Sequence, residues 1–217
     1  MEVSKKKKQF QFVGDIFAII ASFVLAGLSA YSIFSRNLYA LIPLMAFYLF
    51  IGILRLSILI LVVAMIRKNT DPVTRFKRER RICRLTGLTI IIFNSLIFVA
   101  LTVLINKAPS EIITKFDFAI IGYMVYAIYK FISSIFNLYK ARVSHSPYRE
   151  TICFLSIIAA LMTLLTMEVA LVSIYGEDTF FYAMLEVISA LVVNGIIFVM
   201  GIVMVISRRV PRTLKNN

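Results

Sequence analysis

The chain has 217 residues, of which 60% are hydrophobic, and a formal net charge of +13 from 24 lysines and arginines set against 11 acidic residues. That much apolar surface exceeds what a water-soluble core of this length can bury, which excludes an ordinary soluble enzyme and leaves one integral membrane domain covering residues 1–217. The positive charge would suit a nucleic-acid binder, but its distribution points to a membrane topology instead.

Six apolar stretches are read in chain order: Phe12 to Phe34, Tyr39 to Ile66, Leu85 to Ile105, Ile112 to Leu138, Pro147 to Tyr175 and Phe180 to Ile206. Each exceeds the 18 or so residues needed to cross about 30 Å of hydrocarbon as a helix. The predicted fold is an all-α integral membrane protein with six transmembrane helices. Ahead of the first stretch stands Lys5 to Lys8, which resembles the start of a secretory signal. The apolar run is too long for an ordinary signal core and Leu28 fits the cleavage position poorly, so retention is expected.

The basic residues fall on alternate connections. Four lie in Lys5–Lys8, eight between Arg67 and Arg84, three between Lys140 and Arg149, and four between Arg208 and Lys215. The positive-inside rule makes those segments and both termini cytoplasmic, in the plasma membrane. Asp71-Pro72 and Ser146-Pro147 each read as an N-cap residue followed by proline at the first helical position, so a helix is expected to start at Pro72 and carry a basic segment into the third span. Arg75, Arg78, Arg80, Arg81 and Arg84 on that segment are candidates for contact with anionic lipid head groups or a partner protein. Cys83 and Cys153 fall at cytoplasmic helix entrances, where no disulfide is expected.

The sequence also repeats. At an offset of 75 residues Phe23, Val24, Tyr48, Ile53, Arg55, Arg67 and Pro72 correspond to Phe98, Val99, Tyr123, Ile128, Lys130, Arg142 and Pro147, and at an offset of 64 Pro147 pairs in turn with Pro211. This predicts three tandem helical hairpins, over about residues 8–71, 72–146 and 147–211, with pseudo-threefold symmetry about an axis along the membrane normal. Counting back from the three prolines aligns Arg55, Lys130 and Asn194 at one depth. Arg55 and Lys130 each precede a cytoplasmic arginine by twelve residues, roughly 18 Å along a helix, which puts them near mid-membrane.

A cation at that depth costs about 2.5 to 3.5 kcal/mol on insertion scales, so both side chains are expected to face the bundle interior. Tyr123, Tyr126, Lys130, Ser133 and Asn137 recur at intervals of three and four and form a polar stripe on the fourth helix. Glu168 and Glu186 supply carboxylates nearer the outer face. Glu168, whose side chain leans inward, is the expected ion-pair partner of the cations. Arg55, Lys130, Glu168, Glu186, Asn194, Tyr123 and Tyr126 are therefore the candidate substrate or ion pathway.

Signatures of zinc peptidases, nucleotide-binding loops, serine hydrolases and paired-cysteine metal sites are absent, and His145 is the single histidine. No catalytic residue, metal or cofactor is predicted. The reading is a permease- or channel-like protein for a small solute or anion. The alternatives are an accessory or regulatory membrane subunit acting through helix packing and a basic cytoplasmic face, with a membrane protein partner or as a homo-oligomer, and, least supported, a membrane-embedded enzyme.

Overall fold

A computed structural model describes residues 2–36, 42–68, 71–107, 118–143, 146–175 and 180–206. All are helical apart from the short connecting positions: α1 (Glu2–Arg36), α2 (Ile42–Arg67), α3 (Pro72–Lys107), α4 (Phe118–Val143), α5 (Pro147–Tyr175) and α6 (Phe180–Ile206). Among the described residues, five helices are long and apolar enough to cross a membrane, namely all but α4. Several side chains in the N-terminal part of α4 lie outside the described residues.

The helix starts follow their caps. Asp71 accepts the Thr74 amide at its side chain (3.4 Å) and the Arg75 amide at its carbonyl (2.9 Å), so α3 begins at Pro72 and runs unbroken through its basic segment. At the start of α5 the Ser146 carbonyl accepts the Glu150 amide at 3.1 Å. α1 begins at Glu2, well before the apolar stretch, so the Lys5 to Lys8 run is helical too.

α5 is the interior helix. Thr151, Leu155 and Ile158 are fully buried, and α5 packs against α2, α3, α4 and α6. The others turn apolar side chains outward, among them Phe17, Ile60, Leu96, Phe136 and Val199, as hydrocarbon requires. The closest pairs are α1 with α2, α3 with α6, and α4 with α5. Only the first is a hairpin of the expected repeat. Among the described residues, the consecutive helices α3 and α4 share little surface, and α5 is far more buried than α1 or α3, its expected counterparts. Among the described residues the three successive helix pairs thus differ in how closely they pack.

Small residues decide the α3–α6 pairing. A Cβ placed on Gly87 would lie 2.7 Å from the Gly201 carbonyl oxygen and 2.8 Å from Met204 Cβ. The two backbones touch because neither residue has a side chain, the means by which helices associate in lipid, where no hydrophobic force separates one apolar surface from another.

A candidate anion site inside the bundle

On α2, Tyr48, Ile51, Gly52, Arg55, Ile58 and Val62 recur at helical spacing and are buried, while Leu49, Ile53, Leu56 and Ile60 on the opposite face are exposed. Arg55 is thereby carried into the interior, where it is only 4% exposed. Its guanidinium donates to the Ala18 carbonyl of α1 at 3.2 Å and to Ser156 Oγ of α5 at 2.9 Å. The close α1–α2 approach has a local cause: Gly52 faces the Phe23 ring, and a Cβ there would sit 3.2 Å from it.

Lys130 of α4 reaches the same place. Arg55 and Lys130 line one cavity of about 30 Å³, together with Ser22, Tyr48, Ser156 and Thr163 and a set of alanines from α1, α4 and α5. This is room for about two water molecules or one small ion. Tyr48 and Thr163 hydrogen-bond to each other across it. Because the Thr163 hydroxyl donates to the Ala159 carbonyl (2.7 Å), Tyr48 is the donor in that pair. Ser22 is likewise committed to the Ala18 carbonyl at 2.8 Å. The Lys130 ammonium and the Ser156 hydroxyl face the cavity beside the Arg55 guanidinium, which is held by Ala18 and Ser156.

The carboxylate that acts on both cations is Asp15 of α1. It also takes a hydrogen bond from the Tyr148 hydroxyl of α5 at 2.5 Å. The sequence reading overlooked Asp15. The available signal was that it is the sole acid within the first apolar stretch.

Glu168, the expected partner, is engaged elsewhere: its Oε1 accepts the Ser189 hydroxyl of α6 at 2.5 Å, and Glu186 is its electrostatic neighbour. Neither carboxylate lines the cavity. Asn194 is also apart from it. The Asn194 side chain donates to the Ala190 carbonyl at 2.7 Å, and its backbone carbonyl accepts Asn94 Nδ2 of α3 at 3.1 Å. Asn94 and Asn194 are both about 5% exposed, and the Oδ1 of each has no partner among the described residues. Of the predicted pathway residues, Arg55 and Lys130 come together, whereas Glu168, Glu186 and Asn194 belong to the α3, α5 and α6 side. Counting along the chain aligned positions in depth but carried no information about which helices are neighbours.

The Tyr123 and Tyr126 side chains and His145 lie outside the described residues. Of the remaining stripe on α4, Asn137 is exposed, and Ser134 is buried in its place. Among the basic residues of α3, Arg75 pairs with Glu79 at 2.8 Å, Arg80 is half-buried, and Arg78, Arg81 and Arg84 are exposed. At the same end of the molecule Arg142 pairs with Glu150 at 3.1 Å and lies 5.6 Å above the Phe154 ring centre. Cys83 and Cys153 are free thiols. Among the described residues no three His, Cys, Asp or Glu side chains come together as a metal site would need.

Two basic side chains thus line a cavity of ionic size, and Asp15, the carboxylate that acts on both, is not part of its lining. Such an arrangement favours a monovalent anion over a cation and over a neutral solute. Comparison with family descriptions, with curated proteins and with solved structures finds no match to this chain.

Proposed function

We propose that this chain is a six-span plasma-membrane protein of the permease or channel type, with both termini cytoplasmic, which binds a small monovalent anion between Arg55 and Lys130. One observation carries the reading: both mid-helix cations line a single cavity whose other polar walls are hydroxyls, and among the described residues the carboxylate that acts on both is Asp15. Lys130 is the principal ligand, since Arg55 is already tied to α1 and α5. Asp15 and Tyr148 belong to the first turns of their apolar segments, on the route by which an ion would leave toward the cytoplasm. Asp15 there raises the cost of anion entry and keeps binding weak enough for release.

The test is chloride, nitrate and iodide flux in proteoliposomes. Lys130→Met should abolish flux, Lys130→Arg should preserve it in part, and Asp15→Asn should raise anion affinity by about tenfold, the factor for roughly 1.4 kcal/mol of relieved repulsion. No flux in the parent protein, or flux that ignores Lys130→Met, would refute the proposal.

A second reading, an accessory subunit whose polar cluster fixes helix packing, draws on the two bonds that clamp Arg55 between α1 and α5. Under that reading Lys130→Met and Asp15→Asn each destabilise the fold, the pair together restores it, and no anion passes.

A further inference from the structure

A second cavity, of about 280 Å³, opens where α2 meets α3 at the basic end of the molecule. Helical spacing builds it from both sides. Leu61, Ala64 and Met65 share one face of the last two turns of α2, Lys68 follows its last residue, and Arg78, Arg81 and Ile82 share one face of α3. Met65 forms a buried floor, while Lys68, Arg78 and Arg81 are exposed at the rim.

The two acids in this region are used elsewhere. Glu79 is bonded to Arg75, and Asp71 caps α3. Among the described residues no carboxylate pairs with Lys68, Arg78 or Arg81, so three positive charges surround a notch whose inner wall is aliphatic. Leu61, half exposed, continues that wall into the apolar outer surface formed by Ile60 and Ile53.

We infer that this notch is a binding site for the head group of an anionic phospholipid. Its phosphate sits among Lys68, Arg78 and Arg81, and its glycerol and first methylenes lie along Leu61, Ala64 and Met65. Charge complementarity selects the phosphate, and the aliphatic wall running onto the lipid-facing side of α2 selects an amphiphile over free phosphate. The volume, just below that of small-molecule pockets, fits a head group and leaves the acyl chains outside along α2. The position agrees: α2 ends at Arg67, where the chain leaves its apolar stretch, and phospholipid phosphates occupy that level.

The full chain in nanodiscs of phosphatidylcholine doped with phosphatidylglycerol tests this by native mass spectrometry of retained lipid. One phosphatidylglycerol should be retained in preference to phosphatidylcholine. The double variant Arg78→Gln, Arg81→Gln should lower its affinity about 25-fold, at about fivefold or roughly 1 kcal/mol per basic residue near the surface. The variant Lys77→Gln, Arg84→Gln removes the same net charge from exposed positions outside the notch and should lower it less than about threefold. Ala64→Trp fills the notch without altering charge and should abolish selective retention. All substituted positions are exposed, and helical circular dichroism checks that the fold persists. Equal losses from the two double variants would reduce the effect to diffuse attraction and overturn the site. Retention unaffected by Ala64→Trp, or displacement of the lipid by millimolar inorganic phosphate, would overturn it as well.

Discussion

Gly87 is where a single methyl group should do the most damage. In Gly87→Ala the new Cβ meets the Gly201 carbonyl oxygen at 2.7 Å and Met204 Cβ at 2.8 Å, against ordinary contacts that begin near 3.4 Å. The two helices must separate by roughly 0.7 Å, and the nearest obstacle is backbone, which cannot rotate aside. Overpacking of this kind costs about 1–3 kcal/mol, partly offset by the roughly 0.5–1 kcal/mol that alanine gains over glycine within a helix. A net loss of about 1–2 kcal/mol is expected. Two further glycines calibrate the measurement. Gly201→Ala meets the Ile91 side chain first, at 2.6 Å, and the Gly87 carbonyl at 3.2 Å, so part of the strain is relieved by Ile91 and the loss is smaller. Gly195→Ala meets nothing within 4 Å and should be neutral or slightly stabilising. Equilibrium unfolding of the three variants in mixed micelles gives the order directly. If Gly87→Ala proved as stable as Gly195→Ala, close α3–α6 contact would be refuted.

Tyr48→Phe removes one buried hydroxyl pair and should cost about 0.6 kcal/mol, at most roughly 1.7, in the same unfolding assay, the range found for hydrogen bonds between membrane helices. Asn94→Leu removes a side chain whose Oδ1 is already unsatisfied, so its cost in that assay should fall within about 1 kcal/mol despite the lost bond to α6. Arg142→Gln breaks a half-exposed ion pair with Glu150 and should cost about 0.2–1 kcal/mol at low salt, with a smaller difference from the parent in 0.5 M salt because the charges are screened. Cysteines placed at Arg36, Pro109 and Glu177 in a background lacking Cys83 and Cys153 should react with an impermeant thiol reagent from outside the cell, and one at Lys77 should not.

The helices were readable from the sequence because each carries about twenty apolar residues, and the starts of α3 and α5 because Asp71 and Ser146 each precede a proline at the first helical position, whereas α1 starts at Glu2, well before its apolar stretch. The inward placement of Arg55 and Lys130 was readable too, since a mid-span cation has nowhere else to go. Their counter-charge was misassigned. Depth and side-chain lean favoured Glu168, but lateral position favoured Asp15, and lateral position depends on which helices are neighbours. That is fixed by contacts such as Gly87 against Gly201, which have no periodic signature. The central role of α5 was equally hidden, because every helix of a membrane bundle is apolar on its lipid face and its protein face alike. The one trace of it lies in the small and hydroxylated residues Thr151, Ser156, Ala159, Ala160 and Thr163, which are uncommon company for a lipid-facing helix.

The α3–α6 pairing has a consequence for biogenesis. Asn94 and its α6 acceptor are 100 residues apart in the chain, so at about 5–20 residues per second α3 waits on the order of 5–20 s for its partner to leave the ribosome. α1 and α2 can close on each other as soon as both are made. During that interval Gly87 and Asn94, which meet α6 in the finished fold, face lipid or the insertion machinery, with an amide exposed to hydrocarbon. Slowing synthesis between α3 and α6, or weakening α6, should therefore leave a half-inserted species in which α3 is open to quality-control proteases while the first hairpin is already protected.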